Sequence, residues 1–273
     1  MVYTGIYFII FILGTCIGSL LNCIIYRLEQ GKGFVSGRSY CPQCKHQLMW
    51  KDLIPILSFL ILKGKCRYCE KKISLQYPVV ELAIGLLFLL IFIISFGGPA
   101  VGWQFFQTIL NFIFLSTITS FLAIIFIYDL KHYLISDKIV YSAIGITFLY
   151  QLFKVFSFGN LDFRILINPI ISGILASAFF LAIVLISHGK WMGLGDVKLA
   201  FLMGLLLGFP NIIIAMFLSF FIGAIIGIGL IAFKKKNFKS EVPFGPFLVF
   251  GTFLAMFWGE QIINWYLNLF NVF

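Results

Sequence analysis

The chain has 273 residues, of which 61% are hydrophobic and only 11% charged, and its formal net charge is +10. A soluble globular domain has about 45–50% apolar and about 25% charged residues. This composition excludes an ordinary soluble domain and predicts a bundle of membrane-spanning helices, because backbone polar groups in lipid must find their hydrogen-bond partners within helices.

Eight apolar runs follow one another along the chain, and a crossing of the hydrocarbon core needs about 20 apolar residues. The first run is not expected to be a cleavable signal peptide, because no basic residue precedes Arg27 and the run is long enough to span. The sequence therefore predicts an all-α polytopic membrane protein with about eight transmembrane helices. The runs cover 3–26, 78–96, 105–128, 139–158, 169–187, a short 199–209, 212–233 and 244–270.

Basic residues are concentrated in alternate links between these runs. The links 27–77, 129–138, 188–198 and 234–243 carry 18 of the 20 Lys and Arg residues. Since cytoplasmic loops concentrate Lys and Arg, these links are predicted to face the cytosol and both termini the opposite side. The orientation of the chain in the membrane and its attraction to anionic lipids account for the positive net charge. Nucleic-acid binding is therefore not expected.

Four cysteines of the link 27–77 form two CxxC pairs. This spacing is typical of a tetrathiolate zinc site. Two disulfides, a redox pair or another metal are the alternatives, and the reducing cytosolic side disfavours disulfides. Four thiolates leave no open coordination position, so Zn²⁺ is predicted to be structural and to fold a small cytosolic insertion. The predicted ligands are Cys41, Cys44, Cys66 and Cys69.

Two aspartates stand at the cytosolic ends of apolar runs, where ionisable groups suggest a function. Asp129 ends the third run, and Asp196 opens the short sixth run just after Gly193 and Gly195. From Gly195 the short run makes only about 22 Å of helix, which draws Asp196 towards membrane depth. Two carboxylates in close proximity share a proton and can activate water, which is the chemistry of aspartic proteases.

Other interpretations of these aspartates stay open on the residues alone. Each aspartate could instead pair with a neighbouring cation, Lys131 or Lys198. Buried carboxylates also occur in ion-coupled transporters. A third possibility is a membrane scaffold that binds partners through its zinc loop.

A set of motifs runs in order along nearly the whole chain and resembles one family, the prepilin peptidases or type IV leader peptidases, which are GxGD intramembrane aspartyl proteases. The set comprises Gly14, Gly18, Ser19, Asn22, Tyr26 and Arg27, then 37–44, 50–55, 64–69, 77–81, 129–130, 193–198 and 243–247. One departure lies at Ser136, where the family usually has proline before the aspartate that is here Asp137.

The resemblance implies that Asp129 and Asp196 are the catalytic pair. Supporting roles are expected for the neighbouring Gly193, Gly195 and Lys198. Glu81, three residues into the second span, is a further candidate for a role near the site, or else a helix-end carboxylate close to water. The expected substrates are precursors of type IV pilins or pseudopilins, whose short basic leader would be cleaved at the cytosolic face of the bacterial inner membrane. Family members with the cysteine loop also methylate the new N-terminus, which implies S-adenosylmethionine as methyl donor.

Three segments with different tasks follow from these expectations. Residues 1–26 are predicted to be the first transmembrane helix, 27–77 the zinc loop, and 78–273 the peptidase core. No residue of the sequence identifies a binding site for the methyl donor.

Overall fold

The computed structural model describes residues 2–31, 37–97, 103–157, 163–232 and 242–270. Within these ranges the chain forms helices and no β-strand, which confirms the predicted all-α class. A 3₁₀ turn, Trp50–Asp52, precedes the second helix. The α-helices are α1 Val2–Glu29, α2 Leu57–Ile61, α3 Gln76–Phe96, α4 Trp103–His132, α5 Asp137–Ser157, α6 Arg164–Ile186, α7 Leu194–Leu207, α8 Asn211–Ala232 and α9 Gly245–Phe270.

Each predicted apolar run corresponds to one helix. Among the described residues, seven helices are long and apolar enough to cross a membrane, and they are α1, α3, α4, α5, α6, α8 and α9. The eighth run is α7, which has 14 residues and is about 21 Å long. Helix α4 continues past the end of its apolar run to His132, and α7 begins at Leu194. Both Asp129 and Asp196 therefore lie within helices.

The chain divides into two compact units, residues 1–124 and 125–273. In the first unit α1 and α3 pack closely through glycines. A Cβ added at Gly14 would lie 2.8 Å from the Gly85 Cα atom, and one added at Gly18 would lie 2.7 Å from the Glu81 Cα atom. Small residues allow such close approach of backbones in membrane helices. The cysteine-rich link between these helices belongs to the same unit.

In the second unit α7 is the central element, because it contacts α5, α6, α8 and α9. Its side chains Leu199, Leu202 and Met203 are completely buried. The contact with α6 is closest at Gly204, where an added Cβ would overlap the backbone of Gly173. A short helix is therefore held on several sides by longer ones.

The end of α7 is held by a side chain of α6. The helix ends at Leu207, and its C-cap residue Gly208 has a φ of 65°, in the left-handed region that suits glycine. The Asn168 side chain accepts a hydrogen bond from the Phe209 N–H at 2.7 Å and donates one to the Phe209 carbonyl at 3.2 Å. These contacts fix α7 along its axis, and with it the position of Asp196 at the other end.

Candidate functional site

The four cysteines of the loop converge on one point. Their Sγ atoms all lie within 4.8 Å of one another, and those of Cys41 and Cys69 are 4.0 Å apart. A tetrahedral Zn²⁺ with Zn–S bonds of 2.3 Å requires sulfur atoms about 3.8 Å apart. The predicted ligands therefore fit the ion that the spacing indicated.

The two CxxC turns have the same backbone fold. The carbonyl of Cys41 accepts the Lys45 N–H at 2.8 Å, and that of Cys66 accepts the Glu70 N–H at 2.9 Å. Lys45 and Glu70 both have positive φ, 58° and 56°. A single antiparallel bridge closes each turn. The same local hydrogen bonds therefore hold the backbone of both CxxC pairs.

Backbone amides also act on one of the thiols directly. Burial would raise the pKa of Cys41, but hydrogen bonds from the amides of Cys44 and Gln43 outweigh burial and lower this pKa to about 7. The thiolate is the form that binds metal. The first turn thus favours the ligand form of its leading cysteine.

Asp52 connects the 3₁₀ turn with the second CxxC turn. Its carboxylate accepts hydrogen bonds from the Arg67 Nε at 2.7 Å and from the Tyr68 hydroxyl and the Met49 N–H, both at 3.2 Å. Burial would raise the pKa of Asp52, but these hydrogen bonds, that from Arg67 first, lower it. Because half of Arg67 is open to solvent, the ion pair fixes geometry more than it adds stability.

Glu81 belongs to the first unit and acts on the loop backbone. It is 7% exposed, and its Oε2 accepts the Ile56 N–H at 2.7 Å. Ile56 has a φ of 60°, which is costly for a β-branched residue, so this hydrogen bond stabilises a strained turn. A supporting role of Glu81 in the peptidase reaction stays a prediction.

The two predicted catalytic aspartates come together in the second unit. Asp129 lies in the last turn of α4 and is 4% exposed, and Asp196 lies in the first turn of α7 and is 8% exposed. The two carboxylates interact electrostatically. Lys198, a possible counter-ion for Asp196 from the sequence, instead donates to the Asp137 Oδ1 at 2.7 Å.

The GxGD spacing orients Asp196 through a helix cap. Gly193 is the N-cap residue of α7, and Asp196 is three residues further on. The Gly193 N–H hydrogen-bonds to the Asp196 carboxylate, and the Asp196 N–H donates to the Gly193 carbonyl at 3.2 Å. This arrangement is half of a capping box, which fixes a carboxylate at the third helical position.

The two glycines of this motif have different surroundings. A Cβ added at Gly195 would lie 2.9 Å from the Cβ of Ile135, whereas one added at Gly193 would find no atom closer than 3.9 Å. Gly195 is therefore needed for the close approach of the segment that follows α4. Gly193 leaves open space beside the aspartate.

Sequence reasoning missed Gly245, which contacts the other aspartate. The Gly245 N–H at the start of α9 hydrogen-bonds to the Asp129 carboxylate, and an added Cβ would lie 2.5 Å from the Asp129 Oδ2. The positive end of a helix dipole thus faces this acid. Asp129 Oδ2 is buried and has no hydrogen-bond partner within the described ranges. The motif at 243–247 was a signal for a site residue, since glycine followed by Pro246 suits a helix start.

The arrangement provides two adjacent buried carboxylates, each oriented by an amide at a helix N-terminus, and a carboxylate oxygen free to accept a proton. Buried acids of this kind can activate water. A helical membrane protein with such a site has the groups that hydrolysis within a membrane requires.

Two family profiles match the chain, and they divide it between them. The Bacterial Peptidase A24 N-terminal domain matches residues 12–95, and the Type IV leader peptidase family matches residues 116–228. The chain belongs to the type IV leader peptidase family, which confirms the predicted family and the prediction that the chain is an enzyme of the peptidase class.

Curated relatives match over almost their full length. A protein of Legionella pneumophila named "Prepilin leader peptidase/N-methyltransferase" is 32% identical over 96% of this chain and 94% of its own length. Proteins with the same name from Bacillus subtilis and Aeromonas hydrophila are 32% and 30% identical, over 96% of this chain and 98% and 94% of their own lengths. No solved structure gives a significant match.

Proposed function

We propose that this enzyme removes the leader from type IV prepilins or pseudopilins, with Asp129 and Asp196 activating the attacking water. The observation that carries the proposal is the meeting of two buried carboxylates at helix ends in a chain of this family. The names of the relatives support prepilin precursors as the substrate class.

The chemistry follows from two acids that share one proton. The ionised carboxylate takes a proton from water as the water attacks the scissile carbonyl carbon, while the protonated carboxylate donates a hydrogen bond to the carbonyl oxygen. The C–N bond then breaks, and the leaving amine takes up a proton. Asp129 Oδ2, which has no hydrogen-bond partner within the described ranges, is suited to accept the proton of the water.

Four further residues support the site in this proposal. Gly193 and Gly245 orient the two carboxylates through their backbone amides. Lys198 binds Asp137, and thereby joins the start of α7 to the start of α5. We assign Lys198 and Gly195 to positioning and not to proton transfer.

The proposed cleavage occurs at the cytosolic face of the bacterial inner membrane. The concentration of 18 of the 20 Lys and Arg residues in alternate links supports this orientation, with both termini extracytoplasmic. The link 27–77 has ten basic and three acidic residues, which favours contact with anionic lipid headgroups.

A second proposed activity is methylation of the N-terminus that cleavage exposes. The methyl group moves from the sulfonium of S-adenosylmethionine to the amine nitrogen: the C–S bond breaks, the sulfur keeps the electron pair, and the amine loses a proton. The name of the relatives supports this activity. Zn²⁺ bound by the four cysteines has a structural role here, because four thiolates close the coordination shell.

The test uses the purified protein with a synthetic prepilin in detergent micelles. We expect Asp129→Asn and Asp196→Asn each to lower the rate of cleavage by at least about 100-fold, since each removes a general acid or base. Glu260→Gln, at an exposed position of α9, is the matched control and should cleave at the wild-type rate. Normal cleavage by either aspartate variant would contradict the aspartyl mechanism.

A further inference from the structure

A cavity of about 540 Å³ lies in the first unit between α1, α3 and the zinc loop. Its wall is made only of residues between Ser19 and Glu81, so neither catalytic aspartate lines it. Pockets for small ligands and cofactors have volumes of about 300–1,000 Å³. The peptidase mechanism makes no use of this cavity.

The wall combines polar groups of opposite character. Helices α1 and α3 contribute the buried Asn22 and Glu81, of which Asn22 donates a hydrogen bond to the Tyr77 carbonyl at 3.1 Å. The loop contributes most of the basic groups, and the wall as a whole has five Lys or Arg residues against two acids. These seven are Arg27, Arg38, Arg67, Lys71 and Lys72, with Asp52 and Glu81.

Aromatic rings complete the wall. Tyr26, Tyr40, Phe59 and Tyr77 all line the cavity, and the rings of Tyr26 and Tyr40 meet edge to face with centroids 5.9 Å apart. Rings of this kind stack on nucleobases, because every base has a π-face. They also attract cations held above the ring.

We propose that this cavity binds S-adenosylmethionine, an inference that rests on the proposed methyl transfer. The adenine stacks on the aromatic wall, and the carboxylate of the methionine part binds the basic groups of the loop, such as Arg38 and Lys72. The cationic sulfonium and amino groups are attracted to the buried carboxylate of Glu81 and to the tyrosine faces. In this assignment the Glu81 carboxylate contacts the methyl donor in addition to the Ile56 N–H.

The metal site is part of the same wall. Cys41 and Cys66, the leading cysteine of each CxxC turn, both line the cavity. Zn²⁺ bound there would hold the two turns together and keep the cavity open. The structural ion would therefore stabilise part of the proposed binding site for the methyl donor.

The rival occupant is the leader peptide of the substrate. The leader is basic by family resemblance, and a wall with three more basic than acidic residues repels it. A zwitterionic amino acid joined to a nucleoside matches the mixture of basic, acidic and aromatic groups better than a polycation does.

The first experiment measures binding of S-adenosylmethionine to the zinc-loaded full-length protein in micelles by isothermal titration calorimetry. Ser58 lies in the wall, and Ser58→Trp fills the cavity, so we expect the Kd to rise at least tenfold. Leu60→Trp, on the exposed side of the same helix, is the matched control and should keep the wild-type Kd. Zinc content verifies that both variants retain the folded loop. An unchanged Kd in Ser58→Trp overturns the assignment.

The second experiment needs no variant. Wild-type protein is irradiated with S-adenosylmethionine carrying a tritiated methyl group, and the labelled peptide is identified by mass spectrometry. Label within residues 19–81 supports the cavity, and label within residues 125–273 overturns it while methyl transfer stands. If the wild type neither binds S-adenosylmethionine nor methylates cleaved prepilin, the cavity assignment and the proposed transferase activity both fail, and cleavage is unaffected.

Discussion

At the residue scale, the two glycines before Asp196 have unequal tasks. Gly195 admits Ile135, whereas Gly193 faces open space and needs only its amide for the cap. We expect Gly195→Ala to lower the rate of prepilin cleavage at least tenfold, because its Cβ displaces Ile135 or the start of α7. Gly193→Ala keeps the amide and has a φ of −87°, which alanine adopts readily.

The measurement is the initial rate of cleavage for the two variants, prepared in parallel. Gly193→Ala serves as the control and should retain more than half of the wild-type rate. If both variants lose the same fraction of the cleavage rate, Gly193 is needed as open space for the substrate. That result would contradict the helix cap as the reason for the spacing between Gly193 and Asp196.

Gly245 gives a second prediction at this scale. A Cβ at this position would collide with the Asp129 carboxylate, so Gly245→Ala should reduce cleavage at least tenfold while the protein still inserts. Gly227→Ala is the matched control, since nothing lies within 4 Å of a Cβ added there. Cleavage by Gly245→Ala at the wild-type rate would mean that α9 does not orient the acid.

The sequence singled out Asp129 and Asp196 as candidates, because few carboxylates stand at the ends of apolar runs. Their catalytic role stays a prediction. The neighbours of the aspartates were harder to predict. Lys198 was a candidate counter-ion for Asp196, but the fold directs it to Asp137, eight residues after the other acid. Gly245 lies more than 100 residues from Asp129 along the chain, and only tertiary packing brings its amide to that carboxylate.

At the element scale, α7 decides the geometry of the site. It is the shortest of the helices that correspond to apolar runs, it is surrounded by four others, and Asn168 holds its end. Gly204→Val should lower the thermal stability, because its side chain would overlap the backbone of Gly173. Overpacking of this kind costs about 1–3 kcal/mol.

Thermal unfolding in detergent micelles, followed by circular dichroism, measures this effect. A fall in Tm of several degrees is expected for Gly204→Val and none for Gly229→Val, because a Cβ at Gly229 meets no atom within 4 Å. An unchanged Tm in Gly204→Val would contradict the close packing of α6 on α7.

Hydrophobic runs predicted the existence of every long helix but not two decisive boundaries. Helix α4 continues one turn beyond its apolar run, and α7 starts five residues before its own run. An α-helix needs continuous backbone hydrogen bonds, not apolar side chains, so a polar turn can extend it. Those polar turns contain Asp129 and Asp196.

At the scale of the whole molecule, the chain separates its tasks between two units. The four cysteines that fit zinc and the cavity belong to residues 1–124, and the two aspartates belong to residues 125–273. This division accounts for the unusual composition of the link 27–77, which is rich in cysteine and basic residues while the rest of the chain is almost purely apolar. A loop that is too polar to form a hydrophobic core can obtain its stability from a metal, and the four convergent cysteines fit one.

We therefore expect removal of zinc to affect the first unit alone. After dialysis against a chelator, hydrogen exchange of the amides in residues 37–75 should accelerate at least tenfold, because the hydrogen bonds of both CxxC turns depend on a closed site. Amides of α7 in the second unit should keep their protection, which serves as the internal control. Adding Zn²⁺ back should restore both slow exchange and binding of S-adenosylmethionine. If the exchange rates of these loop amides stay unchanged after the zinc has been removed, the ion is not structural.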